Sequence, residues 1–214
     1  MELNGIKANF LGDSITEGVG TSSPDKTFHQ LIAKKYCLAA SRNYGISATR
    51  LAKQYKPSDN PRADLDFCSR VGEMDGDADL IVVFGGTNDY GHGDAPFGEF
   101  GDRTPDTFCG ACHTLMSSLI TKYPDAVIVI MTPLHRASED VPSVGNHLPL
   151  LEYVNMIRRV AEFYSLPVMD LWSVSGIQPR VKAIRENFCP DGLHPNDAGH
   201  ERMAERIANF LLTL

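Results

Sequence analysis

The chain has 214 residues, of which 43% are hydrophobic and 22% charged, and a formal net charge of −7. That length suits one domain with a single generous core, expected over residues 1–214. The acidic balance excludes a nucleic-acid or anionic-membrane surface, which needs clustered Lys and Arg, and no apolar run reaches the length of a membrane span. The segment Met1-Glu2-Leu3-Asn4-Gly5-Ile6 has no basic start and a short apolar run follows, so a cytoplasmic protein is expected.

In chain order, Ile6–Leu11 reads as a short apolar strand running into Gly12-Asp13-Ser14. A helix follows from about Asp25, with Phe28, Leu31, Ile32 and Tyr36 on one face. Asn43-Tyr44 closes a weak second strand that Gly45 ends. Between Ile46 and Asp77 the pattern is weakest: Thr49–Gln54 and Ala63–Val71 are helical candidates around a Pro57–Pro61 loop. Leu80–Phe84 is a continuous apolar run stopped by Gly85-Gly86, the signature of a central parallel strand covered on both faces. Ala126–Met131 and Pro167–Leu171 repeat that pattern. Amphipathic helices precede them, one carrying Phe108, Cys112, Leu115, Met116 and Leu119, the other Leu151, Val154, Ile157, Ala161 and Tyr164. The last helix carries Met203, Ala204, Ile207, Phe210 and Leu211, with Asn196 or Asp197 as its N-cap.

Five strands alternating with helices predict an α/β fold, a parallel sheet with helices on both faces. Ligands of such sheets collect beyond the carboxyl ends of the strands, which is where the chemistry-bearing residues fall. Cys109-Gly110-Ala111-Cys112-His113 matches both a CxxC redox pair and a haem-attachment pattern. Its place inside a helical repeat instead predicts a core Cys112 with Cys109 beside it or half exposed. The five cysteines are expected to be reduced thiols.

A serine hydroxyl is a weak nucleophile unless an adjacent base takes its proton. Ser14 lies just past a buried strand, where a turn exposes a side chain at the sheet edge. In Asp191-Gly192-Leu193-His194-Pro195 an acid and an imidazole stand three residues apart in one turn, the spacing at which the acid can orient the base. Read separately, both segments are ordinary turns; read together they are the halves of a hydrolytic site. In Gly86-Thr87-Asn88-Asp89, after the clearest strand, Asn88 is placed to donate to a developing oxyanion, a donor typically worth about 3–4 kcal/mol. Gly45 can offer a backbone N–H that a substrate approaches closely. His92 and His135 lie on presumptive edge loops and stay open as alternative bases.

Gly12-Asp13-Ser14-Ile15-Thr16, Asn43-Tyr44-Gly45, Gly86-Thr87-Asn88-Asp89 and Asp191-Gly192-Leu193-His194-Pro195 together resemble the four blocks of the SGNH, or GDSL-type, hydrolases. The blocks stand in the family's order and span nearly the whole chain. The resemblance implies a flavodoxin-like three-layer α/β/α sandwich around a five-stranded parallel sheet. It further implies Ser14 as nucleophile, His194 as base and Asp191 as its orienter. The oxyanion hole it implies is made of the Ser14 and Gly45 N–H groups and the Asn88 side chain. No metal or cofactor is expected, and the partner is a small-molecule ester.

Other readings fare less well. A metallophosphoesterase needs an Asp-x-His at its first strand, where this chain has Asp13-Ser14-Ile15. A calcium loop over Asp75, Asp77 and Asp79 fails at Leu80, where glycine is needed, and at Gly86, where glutamate is needed. A non-catalytic flavodoxin-like module for a nucleotide or flavin finds only Gly18-Val19-Gly20, too little of a phosphate loop. Loops Tyr90–Asp106 and Pro133–Leu148 are long and polar and are expected to wall the pocket, with Asp13, His92, His135 and Arg136 as substrate-binding candidates. A polar wall favours short acyl groups on polar or carbohydrate alcohols. Lysophospholipids and thioesters are the alternatives within the same family. Activity is expected to fall on acidification, as His194 takes up a proton.

Overall fold

A computed structural model describes residues 1–214. Its sheet has five parallel strands, β1 (Lys7–Gly12), β2 (Ala40–Gly45), β3 (Leu80–Phe84), β4 (Val127–Met131) and β5 (Val168–Met169), in the order β2-β1-β3-β4-β5. β3 is central because all five of its side chains are apolar, and none is more than 3% exposed. The register aligns Gly45, Gly12, Phe84 and Met131 across four strands, so the segments that follow them leave the sheet at one level. The chain winds outward in both directions from the β1/β3 junction, the topological switch point at which such sheets hold their ligands.

Nine helices follow in chain order: α1 (Ser14–Glu17), α2 (Phe28–Tyr36), α3 (Phe67–Arg70), α4 (Thr87–His92), α5 (Phe108–Lys122), α6 (Leu150–Phe163), α7 (Leu171–Val174), α8 (Lys182–Phe188) and α9 (Asp197–Leu211). Strand side chains alternate between two cores. Ile81, Val83, Ile128 and Ile130 pack with α3, α5 and α6, while Leu80, Val82, Phe84 and Val129 pack with α2 and α9. Local capping sets the longer helices: Thr107 accepts from Gly110 N at 3.0 Å before α5, and Asn196 accepts from Gly199 N at 3.0 Å before α9.

Several elements depart from the pattern reading. Thr49–Gln54 is not helical, because Asp89 takes the Leu51 and Ala52 N–H groups at 3.0 and 2.9 Å and holds the segment as a loop. Ala63–Val71 breaks into short turns, with Asp66 capping α3 through Ser69 N. The fifth strand keeps two residues, since Asp170 starts α7, and the second helix begins at Phe28 after a 3₁₀ turn at Pro24–Lys26. Cys112 lies in the core as expected, but Cys109 is fully buried too, its thiol bonded to the Gly98 carbonyl. Burial pushes the Cys109 thiol up to about 12, and all five cysteines are free. Asp75 and Asp77 pair with Arg42 and Lys7. No helix is long and apolar enough to cross a membrane.

Candidate active site

β1 delivers Ser14 to the sheet edge. Asp13 caps α1 by accepting from Ile15 N at 3.0 Å, and Glu17 N bonds to the Asp13 carbonyl at 2.9 Å, so Ser14 is fixed as the first residue of a one-turn helix. Asp13 itself is 1% exposed and lies under the cleft rather than in its wall, so the structure does not support its expected contact with substrate. Burial pushes its carboxyl up to about 6, against the backbone bond from Ile15 and the charges of His194 and Arg70.

The other half of the site comes from the turn before α9. Asp191 Oδ1 accepts from the Leu193 and His194 N–H groups at 2.8 and 2.7 Å, and Oδ2 lies 2.7 Å from His194 Nδ1. Partial burial alone would raise the Asp191 pKa, but the hydrogen bonds from His194 and Leu193 hold it below the usual carboxylate value. An ionised carboxylate can only accept, so His194 Nδ1 carries the proton and Nε2 presents a lone pair. That lone pair faces Ser14 Oγ at 2.9 Å.

Residues 180 apart meet because the chain closes behind them. Asp197 accepts from Ser22 N and Ser22 Oγ at 2.7 and 2.6 Å. Gly20, at φ 97°, lets its backbone lie against the Pro195 carbonyl; a Cβ there would overlap that oxygen and sit 3.3 Å from His194 Cβ. Gly20 is therefore a packing joint between the serine turn and the histidine turn.

Asn88 follows β3 on the first turn of α4, and its Nδ2 donates to the Thr49 carbonyl at 2.9 Å. The second amide hydrogen is left for the cleft. Gly45 does not reach the cleft. Its N–H donates to Asn43 Oδ1 at 2.8 Å, and a Cβ would collide with the backbone of Glu17. Glycine stands there so that β2 can end against α1, and the donor role expected of it has no geometric basis. Ala48, rather than Gly45, lines the cleft beside Ser14 and Asn88, in a left-handed conformation with φ 65°. Neither the Ser14 nor the Ala48 N–H has a protein acceptor. An alanine gives no sequence signal for a left-handed turn, so the pattern reading could not find it.

Two arginines hold this loop. Arg70, 4% exposed, donates to the carbonyls of Gly12 and Tyr44 at 3.1 and 2.6 Å and to Thr49 Oγ1 at 3.0 Å, tying β1, β2 and the loop that receives Asn88. Burial lowers its pKa to about 10, so it stays charged. Arg50 donates to the Ala48 carbonyl at 3.1 Å and to His92 Nδ1 at 2.8 Å.

Ser14, Ala48, Asn88 and His194 open into one cleft of about 360 Å³, whose remaining walls are Val19, Ser47, Gly91, His92, Arg136 and Leu193. Of the two loops expected to form the wall, only Gly91, His92 and Arg136 do so. In the first, Phe97 turns inward instead, stacked 5.6 Å from Phe108 and bonded through its N–H to Asn146. His135 is not in the cleft: its Nδ1 meets Glu139 at 2.7 Å and its ring centroid lies 3.8 Å from that of Trp172. It is therefore remote both as an alternative base and as a substrate contact. Val19 and Leu193 fall inside motifs already noted but were not expected as wall residues, and Ser47 lies in no motif.

The chain is similar to several known proteins. Over 208 residues it is 30% identical to a GDSL lipase of Mycobacterium tuberculosis, covering 94% of this chain and 79% of that protein. A crystal structure of a protein from Lactobacillus plantarum matches with a TM-score of 0.85 and 30% identity over 98% of both chains. A two-domain esterase active on acetylated mannans matches in fold, with a TM-score of 0.63 and 22% identity over 97% of this chain and 49% of its own. The model of the GDSL-like lipase/acylhydrolase family covers residues 10–202, which takes in Ser14, Asn88 and the Asp191–His194 turn, and the chain belongs to that family.

Proposed function

We propose that this chain hydrolyses short-acyl carboxylic esters of polar or carbohydrate alcohols through an acyl-enzyme on Ser14. The carrying observation is the unbroken chain of hydrogen bonds from Ser14 Oγ through His194 to Asp191 at the mouth of a cleft. Ser14 Oγ attacks the ester carbonyl as its proton passes to His194 Nε2, and Asp191 stabilises the resulting imidazolium. The tetrahedral oxyanion is received by the Ser14 and Ala48 N–H groups and the free Asn88 amide hydrogen. His194 then returns the proton to the departing alkoxide, and a water activated by the same imidazole releases the acid.

The preference for short acyl groups rests on cleft size and lining. About 360 Å³ is at the lower end for ligand pockets, and Val19, Ala48 and Leu193 are its only apolar wall residues. The fold neighbour active on acetylated mannans is consistent with this reading. A chain-length series of p-nitrophenyl esters tests it. The expected kcat/KM is highest for acetate and falls at least about tenfold by octanoate, since each added CH₂ finds no apolar partner. Activity rising toward long chains would contradict the proposal, as would a Ser14→Ala variant that retains hydrolysis.

A further inference from the structure

The cleft wall opposite no carboxylate carries a guanidinium with unused donors. Arg136 donates through Nη1 to the Thr87 carbonyl and hydroxyl at 3.2 and 3.3 Å, and its guanidinium carbon lies 5.3 Å from the centre of the Tyr90 ring. Gly91 makes room for it: a Cβ there would stand 2.8 Å from Nη1. Nε and Nη2 have no protein acceptor, and Arg136 has no carboxylate partner. Glu139, the nearest acid in sequence, is spent on His135 Nδ1, the Arg136 backbone N–H and Gln178 Nε2.

His92 stands in the same wall with a fixed polarity. Arg50 can only donate, so His92 Nδ1 is the acceptor of that bond and the ring proton sits on Nε2, which has no protein partner. Burial, then the charge of Arg50, lowers the His92 pKa and keeps the ring neutral. No Asp or Glu lines the cleft, and Glu17, behind Ser47, is paired with Arg62 and bonded by Ser47. Arg136 is therefore the single cation among the residues that line the cleft, and the more distant charges of Asp191 and Asp13 act on it without a direct bond.

We propose that this wall is a subsite for an anionic group, a carboxylate or phosphate, carried by the ester substrate and received by Arg136 with His92 beside it. A hydroxyl brings a hydrogen that needs an acceptor, and the Arg136/His92 wall has donors alone. A carboxylate or phosphate brings acceptors alone, and the planar guanidinium can offer two N–H groups to it. The inference deepens the ester-hydrolase reading and rests on it: the anion fixes the substrate while Ser14 works on the ester.

Isosteric pairs differing by one charge test this. Comparing 4-acetoxybenzoate with 4-acetoxybenzamide puts the charge on the alcohol side; comparing phenyl hydrogen adipate with phenyl adipamate puts it on the acyl side. Wild type is expected to favour the anionic member of at least one pair by about tenfold or more in kcat/KM, the scale of a charge-assisted hydrogen bond. The pair that shows it identifies the side of the ester that carries the charge. In Arg136→Gln the ratio should collapse to within about threefold of unity. A wild-type ratio near or below one in both pairs overturns the proposal. So does an equal loss on both members in Arg136→Gln, the mark of a merely structural arginine. If hydrolysis survives in Ser14→Ala, the nucleophile assignment fails and the subsite with it; Ser14-dependent hydrolysis without charge preference overturns the subsite alone.

Discussion

At the residue scale, four buried titratable groups around the site set opposing responses to acid. Burial pushes Asp13 and Asp89 up to about 6, while burial lowers His29 and His200 to about 4. The carboxyls bind a proton more readily folded than unfolded, so they favour the fold as pH falls from above 6 toward 4. The imidazoles take protons first in the unfolded chain, so they lose stability over the window from about 6.5 to 4. Each contribution is worth about 3 kcal/mol, and the two kinds offset one another. His200 is fully buried, accepts from Phe28 N at 3.1 Å and has no partner at Nε2. Replacing it with Gln should therefore make the variant gain stability relative to wild type by up to about 3 kcal/mol between pH 7 and pH 4. Denaturant titrations at a series of pH values check this; a stability difference that does not change with pH would rule out a neutral buried imidazole.

At the element scale, the site depends on two turns from opposite ends of the chain pressing on each other at Gly20. A Gly20→Ala change adds a Cβ where φ is 97° and where the Pro195 carbonyl already lies. The expected loss is about 1–3 kcal/mol of stability, with kcat reduced more than KM because His194 is displaced from Ser14. Gly76→Ala, where a Cβ meets nothing within 4 Å, is the control. Equal kinetics in the two variants would show that the joint does not position His194. Which parts of this were legible follows from how local the cause is. Leu80–Phe84 and the helix from Phe108 announce themselves because their periodicity and their burial have the same origin. The Asp191–His194 turn was readable because acid and imidazole are three residues apart. Arg70 and Arg50 were not, since they act through bonds to carbonyls 2 to 58 residues away, and Ala48 was not, since an alanine does not announce a left-handed turn. Gly45 was misread because a glycine required by a neighbouring helix looks like one required by a ligand.

At the scale of the whole molecule, the strand register is what makes a site out of scattered residues. Gly12, Gly45, Phe84 and Met131 end level, so Ser14, Ala48, Asn88 and Arg136 leave the sheet at the same edge on either side of the switch point. The Asp191–His194 turn, just before the last helix, reaches the same edge, and the Ser22–Asp197 bonds hold it against Ser14. The sequence alone indicates the layers and the edge, because alternation of strands and helices determines them; it does not indicate which loop segments face the cleft. The central claim is that Ser14, driven by His194, is the nucleophile. Intact-mass analysis followed by peptide mapping after incubation with an organophosphonate tests it most directly. The predicted result is a single adduct on the peptide containing Ser14, absent in Ser14→Ala and formed far more slowly in His194→Ala. An adduct forming at the wild-type rate in Ser14→Ala would contradict it.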